Sequence, residues 1–185
     1  MDCCPTTWQA LTALAIIISG LLGAFIAIKS IWSARDIAKK KAAIDFINAS
    51  QSNVLLKTSF RKVFELHQSS EKEIEDYAYK KKDDSEHFEI QEHIQYLLNF
   101  LENMSVAIMQ GIYDEQTIKE SRYSGTMRVW RMTRRFIYKL REQLENDTVY
   151  MEFEDLAERW KDNPLKPKRE WSQRRAGWLR FFRGE

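Results

Sequence analysis

From Cys3 to Ile28 the chain carries no charged side chain, although 30% of its residues overall are charged. Away from water such a run can satisfy its backbone hydrogen bonds only as a helix, and about 20 apolar residues cross a hydrocarbon core about 30 Å thick. Trp8 and Trp32 stand at its ends. A helix between them is roughly 36 Å long, which sets one indole at each interface. A cleaved signal peptide needs a basic leader and a shorter apolar core, whereas the charged side chain ahead of this run is Asp2. The segment 1–32 therefore reads as a retained transmembrane anchor. Lys29, Arg35, Lys39, Lys40 and Lys41 follow it, and basic residues collect on the cytoplasmic side. The expectation is a single-pass protein of the cell inner (plasma) membrane, its C-terminal domain in the cytoplasm and the lipid bilayer its first partner.

The remaining residues suffice for one compact domain. Both cysteines, Cys3 and Cys4, precede the anchor, so the domain holds no disulfide and no thiolate metal site. A formal net charge of +2 is too small to steer the whole molecule to a polyanion, so any such partner must meet a local patch. After the anchor the helical pattern continues through Ile37, Ile44 and Ile47, so anchor and first domain helix are expected to form one rod. A second helix shows Leu56, Phe60, Val63 and Phe64 on one face, and the polar stretch from Ser69 to Ser85 reads as a solvated short helix or loop. The clearest helix runs from about Glu86 to Gln110, with Ile90, Ile94, Leu97, Leu98, Leu101, Met104 and Ile108 inward and Gly111 as its stop. Asp114 is placed to cap a short helix, which Ser124 and Gly125 should separate from a longer one whose inner face is Trp130, Ile137, Leu140 and Leu144. Asp147 or Thr148 should open a last helix carrying Phe153, Leu156, Ala157 and Trp160, which Pro164 ends. No segment alternates as a strand does. The fold class is all-α: one N-terminal transmembrane helix, a small helical-bundle domain over 33–163, and a basic aromatic tail over 164–185.

Ala15, Ser19, Gly23 and Ala27 recur every fourth residue within the anchor, a strip of small side chains along which two spans can approach closely, so a homo-oligomer is expected. On the domain, Asn99 and Glu102 lie on the most apolar helix, and Arg131 and Arg134 on one that can pack beside it. A Glu102–arginine pair would fix their register. From Lys119 to Arg141 there are eight basic residues and one acidic, whereas Glu142 to Glu158 holds seven acidic and no basic. Adjacent blocks of opposite sign favour pairing within or between protein chains over nucleic acid. The tail adds Trp171, Arg174, Arg175, Trp178, Phe181 and Phe182, a candidate membrane-surface element in which aromatic rings enter the interface and arginines meet anionic headgroups.

Catalytic machinery is hard to assemble from this sequence. His67, His87 and His93 are its histidines, and the Glu-x-x-His spacing of di-iron bundles fails because Ile90 stands three before His93. Phosphate loops, nucleophile elbows and H-E-x-x-H are absent. No enzyme activity, catalytic residue, cofactor or metal is expected.

The run LLNFLENMSVAIMQGIYDE, with Leu98, Asn99 and Glu102, the junction from Trp32 to Arg35, Trp130 on its arginine-rich helix, and YMEFEDLAERW resemble a mostly bacterial family of single-span helical proteins known only as a domain of unknown function. That resemblance implies topology and fold, and brings no catalytic residues. The functional expectation is a membrane-tethered helical interaction or scaffold module with a cytoplasmic protein partner. The alternative is a small membrane-perturbing effector of the toxin or phage-defence type, and a nucleic-acid-binding membrane protein ranks below both.

Overall fold

The computed structural model describes residues 7–69, 73–79 and 84–165. Cys3, Cys4 and the tail residues Trp171 to Phe182 lie outside the described residues. The chain forms α1 (Thr7–Ser52), α2 (Val54–Gln68), a short 3₁₀ helix (Ile74–Ala78), α3 (Ser85–Met109), α4 (Glu115–Leu144) and α5 (Met151–Asp162). Among the described residues there is no strand.

The apolar N-terminal segment and the first domain helix are indeed one rod. α1 runs 46 residues without a break, about 69 Å at 1.5 Å per residue. From Leu11 to Lys41 every side chain is exposed, and this part contains a segment long and apolar enough to span a membrane. Ala43, Ile47 and Ser50 are buried and Phe46 is half-buried, a three- and four-residue recurrence that sets one face of the last turns against the domain. Of the three isoleucines that carry the helical pattern onward, Ile47 enters the core, while Ile37 and Ile44 are 64% and 50% exposed. Phe46 stacks on Phe100 at 5.2 Å and meets Tyr113 at 5.0 Å, which wedges α1 against α3 and the turn after it.

α3 packs between α2 and α5, while α4 lies against α1, the 3₁₀ helix and α5. Ile94 and Leu98 of α3, Ile118, Phe136 and Ile137 of α4, and Phe153, Leu156 and Trp160 of α5 are fully buried, and the Trp130 ring meets Phe153 edge-on at 5.6 Å. α3 ends where expected. Gly111 takes φ 67° and its amide donates to the Ile108 carbonyl at 2.9 Å; the left-handed backbone conformation is what calls for glycine, since a Cβ there would meet only the flexible end of Lys39, 3.3 Å from its Nζ.

Four expectations are corrected. Asp114 caps a helix as foreseen, accepting from the Thr117 amide at 2.9 Å, but that helix does not stop at Ser124 and Gly125. It continues for 30 residues as α4, because burial of Ile118, Thr126, Val129 and Trp130 on one face outweighs the roughly 1 kcal/mol cost of an interior glycine. Second, within the polar stretch after Ser69 the described residues 73–79 are not a freely solvated element. Ile74, Tyr77 and Ala78 are buried, and Glu75 pairs with Lys139 at 2.9 Å, clamping the 3₁₀ helix to α4. Third, Asp147 and Thr148 do not begin α5. Asn146 accepts from the Thr148 amide at 2.9 Å, forming a side-chain turn that delays the helix to Met151. Fourth, Leu144 is 55% exposed at the C-terminal end of α4.

A Cβ built on Gly125 meets nothing within 4 Å. Gly125→Ala is therefore expected to raise stability by about 0.5–1 kcal/mol, through the lost backbone freedom of the unfolded chain. Chemical denaturation monitored by helical circular dichroism checks this, and a drop in midpoint would contradict it.

Candidate functional site

The polar residues singled out on α3 and α4 do not form the pair expected of them. Glu102 is half-buried, and its carboxylate accepts from the backbone amides of Phe153 at 2.8 Å and Glu152 at 3.4 Å. These are orphan donors at the start of α5, whose own N-cap, Tyr150, is in the left-handed region at φ 57° and offers no side-chain cap. Glu102 therefore caps α5 from a neighbouring helix instead of pairing with an arginine. Burial raises its carboxyl above the ordinary value, while the two amides pull it down. Burial, together with the nearby Glu102 charge, pushes the Tyr150 phenol up to about 12. Asn99 is exposed on α3.

The raised Glu102 value fixes a sign. Between the ordinary value of 4.5 and the higher folded value the native state holds the proton more tightly, so this group's stabilising contribution is full below 4.5 and is lost as pH rises through the folded value. The stability difference between wild type and Glu102→Gln should therefore move against wild type from pH 4.5 to pH 7, and urea titrations at the two values read it. A difference moving the other way would mean that the helix-end amides outweigh burial.

Arg131 and Arg134 are exposed on α4 with Arg128 and Arg135. Arg135 reaches Glu73 and Glu75 at 3.8 and 3.9 Å, and Arg128 lies over the Phe64 ring at 5.4 Å. Among the described residues Arg131 and Arg134 have no carboxylate within ion-pair distance. With Arg128 and Lys161 they line a shallow groove of about 560 Å³, where Glu158 supplies the acidic side chain. The structure brings Arg131 and Arg134 together but separates them from Asn99 and Glu102.

Two arginines matter more than sequence reasoning allowed. Arg141 clasps the α4–α5 connection: its Nε donates to the Val149 carbonyl at 2.8 Å and its Nη1 to Glu154 at 2.6 Å, while Tyr138 donates its hydroxyl to the same carboxylate at 2.7 Å. The opposite-sign blocks in the sequence foretold such pairing, but not its members. Arg122 donates to the Ile47 carbonyl at 3.0 Å and to Ser50 Oγ, tying α4 to the end of α1. It lines a cavity of about 320 Å³ between α1, α2, α3 and α4. Nothing in the sequence marks this space, because its walls come from four separate helices.

His93 binds Ser59 Oγ through Nδ1 at 2.9 Å and lies 3.8 Å from Glu89, which itself pairs with Lys62. His87 meets the Tyr79 carbonyl at 2.7 Å and stacks on Tyr77 at 4.6 Å. Each of these histidines serves helix packing. Among the described residues no group of three or more His, Cys, Asp or Glu side chains could hold a metal ion. In the apolar part of α1, Ala15, Ser19, Gly23 and Ala27 are all exposed, and a Cβ on Gly23 would meet nothing within 4 Å.

No curated protein and no solved structure matches the chain. A family model does match, from residue 17 to residue 160, which takes in α1 from Ile17 onward and every domain helix down to Trp160. The chain belongs to the family described as domain of unknown function DUF4760.

Proposed function

We propose that this protein is a membrane-tethered helical interaction module: a single-pass anchor that holds a cytoplasmic bundle at a set distance from the bilayer and presents the arginine face of α4 to an acidic protein partner. The observation that carries the reading is the unbroken course of α1 from its exposed apolar half into the domain core. A rod without a hinge transmits position. With Trp32 at the interface, the first buried residue, Ala43, stands about 16 Å along the helix.

The bundle's orientation on that rod supports the reading. Asp114 donates its amide to the Lys39 carbonyl at 3.4 Å, and Lys119 of α4 donates to the Asn163 carbonyl at 2.5 Å. The α3–α4 turn, where Met109 and Ile112 are about half exposed, and the end of α5 therefore share the end of the domain nearest the span. A tail continuing from Asn163 starts at that end, where its basic and aromatic residues can meet headgroups. The small-residue strip suits self-association of the spans. Arg131 and Arg134, with no carboxylate at ion-pair distance among the described residues, suit a partner of opposite charge.

The test is affinity capture of the full-length protein from detergent-solubilised membranes, compared with the double variant Arg131→Glu, Arg134→Glu. A soluble protein recovered by wild type should fall at least tenfold with the variant while the helical content of the bait is unchanged. Identical captured sets would remove the proposed interaction face. Growth arrest with loss of membrane potential on expression, undiminished by the variant, would favour a membrane-perturbing effector instead.

A further inference from the structure

The cavity between α1, α2, α3 and α4 is independent of the membrane reading, and its construction is unlike the other grooves on the domain. Phe60, Leu97, Leu101 and Val129 contribute apolar walls, while Arg122 and Lys57 supply positive charge, and no acidic side chain lines it. The arginine-lined grooves on the outer face of α4 contain Glu73, Glu75 or Glu158 as internal counter-charges. Here there is none. Gly125 and Ser121 face the space from α4, and their small size keeps it open where a larger side chain would close it.

Arg122 is half-buried, and two of its donors are used on the Ile47 carbonyl and Ser50 Oγ, both uncharged acceptors. Its Nε is buried and has no partner. No carboxylate among the described residues lies within ion-pair distance of it. A buried guanidinium with an idle N–H costs free energy unless an anion meets it. Burial lowers its proton affinity, as expected where no anion among the described residues offsets desolvation.

We infer that this cavity binds a small amphiphilic anion, a carboxylate or phosphate monoester on an aromatic or short aliphatic body, with the anionic group at Arg122 and Lys57 and the apolar part between Phe60, Leu97, Leu101 and Val129. A volume of about 320 Å³ lies at the lower end of the range for small-molecule sites, which combine mostly apolar walls with a few placed polar groups. A bound anion would also stiffen the junction, because Arg122 is the side chain that ties α4 to the last turn of α1.

The experiment uses the full-length protein in nanodiscs of zwitterionic lipid and the photoreactive acid 4-benzoylbenzoate, with labelled peptides mapped by mass spectrometry. Labelling is expected on the segments containing Phe60, Leu97 to Leu101 or Val129. Naphthalene-2-carboxylate and 2-naphthyl phosphate should displace the label at concentrations at least tenfold below neutral naphthalene-2-carboxamide, and their ranking tells carboxylate from phosphate. Arg122→Gln should cut labelling at least tenfold. Should that variant lose its fold, Gly125→Phe, which retains the charge and fills the space, should also abolish labelling. Labelling confined to other segments, equal displacement by the carboxamide, labelling that survives Gly125→Phe, or none at all overturns the proposal.

Discussion

Arg141→Ala is expected to destabilise the domain by about 3 kcal/mol, because removing one member of a largely buried ion pair leaves the other desolvated and alone. The Arg141 and Glu154 side chains are 12% and 23% exposed and 2.6 Å apart. The loss also strips the Val149 carbonyl of its donor, so the α4–α5 connection loses its clasp along with the charge. The melting temperature should drop by on the order of 10 °C for a domain of this size. Calorimetry of the full-length protein in mild detergent reads the effect. A contrast sharpens it: Lys40→Ala breaks the Lys40–Asp36 pair, whose side chains are exposed by 54% and 64% respectively on the α1 stalk, and should leave the melting temperature unchanged. The double variant Arg141→Met, Glu154→Leu should lose less than Arg141→Ala alone, since it removes both charges while filling the volume. Equal losses for the single and double variants would show that the carbonyl contact, not the ion pair, holds the connection.

How far the sequence reached depended on whether a feature is local. The inward faces of α2 and α3, the Asp114 cap and the Gly111 stop are each encoded within one or two helical turns, and these, with the long apolar helix at the N-terminal end, were legible. The break expected at Ser124 and Gly125 failed for the opposite reason. Local propensity argues for a stop there, but Thr126, Val129 and Trp130 are buried against other helices, and tertiary burial overrides a single glycine. The same holds for the 3₁₀ helix, whose polar composition hides Ile74 and Tyr77 in the core.

The candidate polar site was legible only as an inventory. A sequence shows that Glu102 sits on an apolar helix, but not that its carboxylate reaches amides about 50 residues later. Nor does it show that Arg122 reaches back about 75 residues to the Ile47 carbonyl. Arg131 and Arg134 could be read as one helix face from their spacing alone, whereas the placing of Glu158, Glu73 and Glu75 in the grooves they line, near but beyond ion-pair distance among the described residues, required the positions of α5 and the 3₁₀ helix.

Trp160→Ala should cost about 3–5 kcal/mol, the usual range when a buried tryptophan leaves a cavity. Its ring is fully buried, its Nε1 donates to Glu115 Oε1 at 2.9 Å, Tyr123 lies 6.0 Å away and Lys119 Nζ stands 5.9 Å over the ring. Those contacts fasten the end of α5 to the beginning of α4, beside the point where α4 meets α1. In a domain whose total stability is expected to be 5–15 kcal/mol, such a loss should release α5 first. Hydrogen exchange across 151–162 should rise before exchange across α3, while the apolar half of α1 stays protected in the detergent micelle. Trp160→Phe keeps most of the apolar volume and gives up the bond to Glu115, so its cost should be about 1–2 kcal/mol. If Trp160→Ala accelerates exchange equally in α3 and α5, the bundle unfolds as one unit and α5 is not a separately released element. If it leaves exchange in α5 unchanged, the ring is not what fastens the helix.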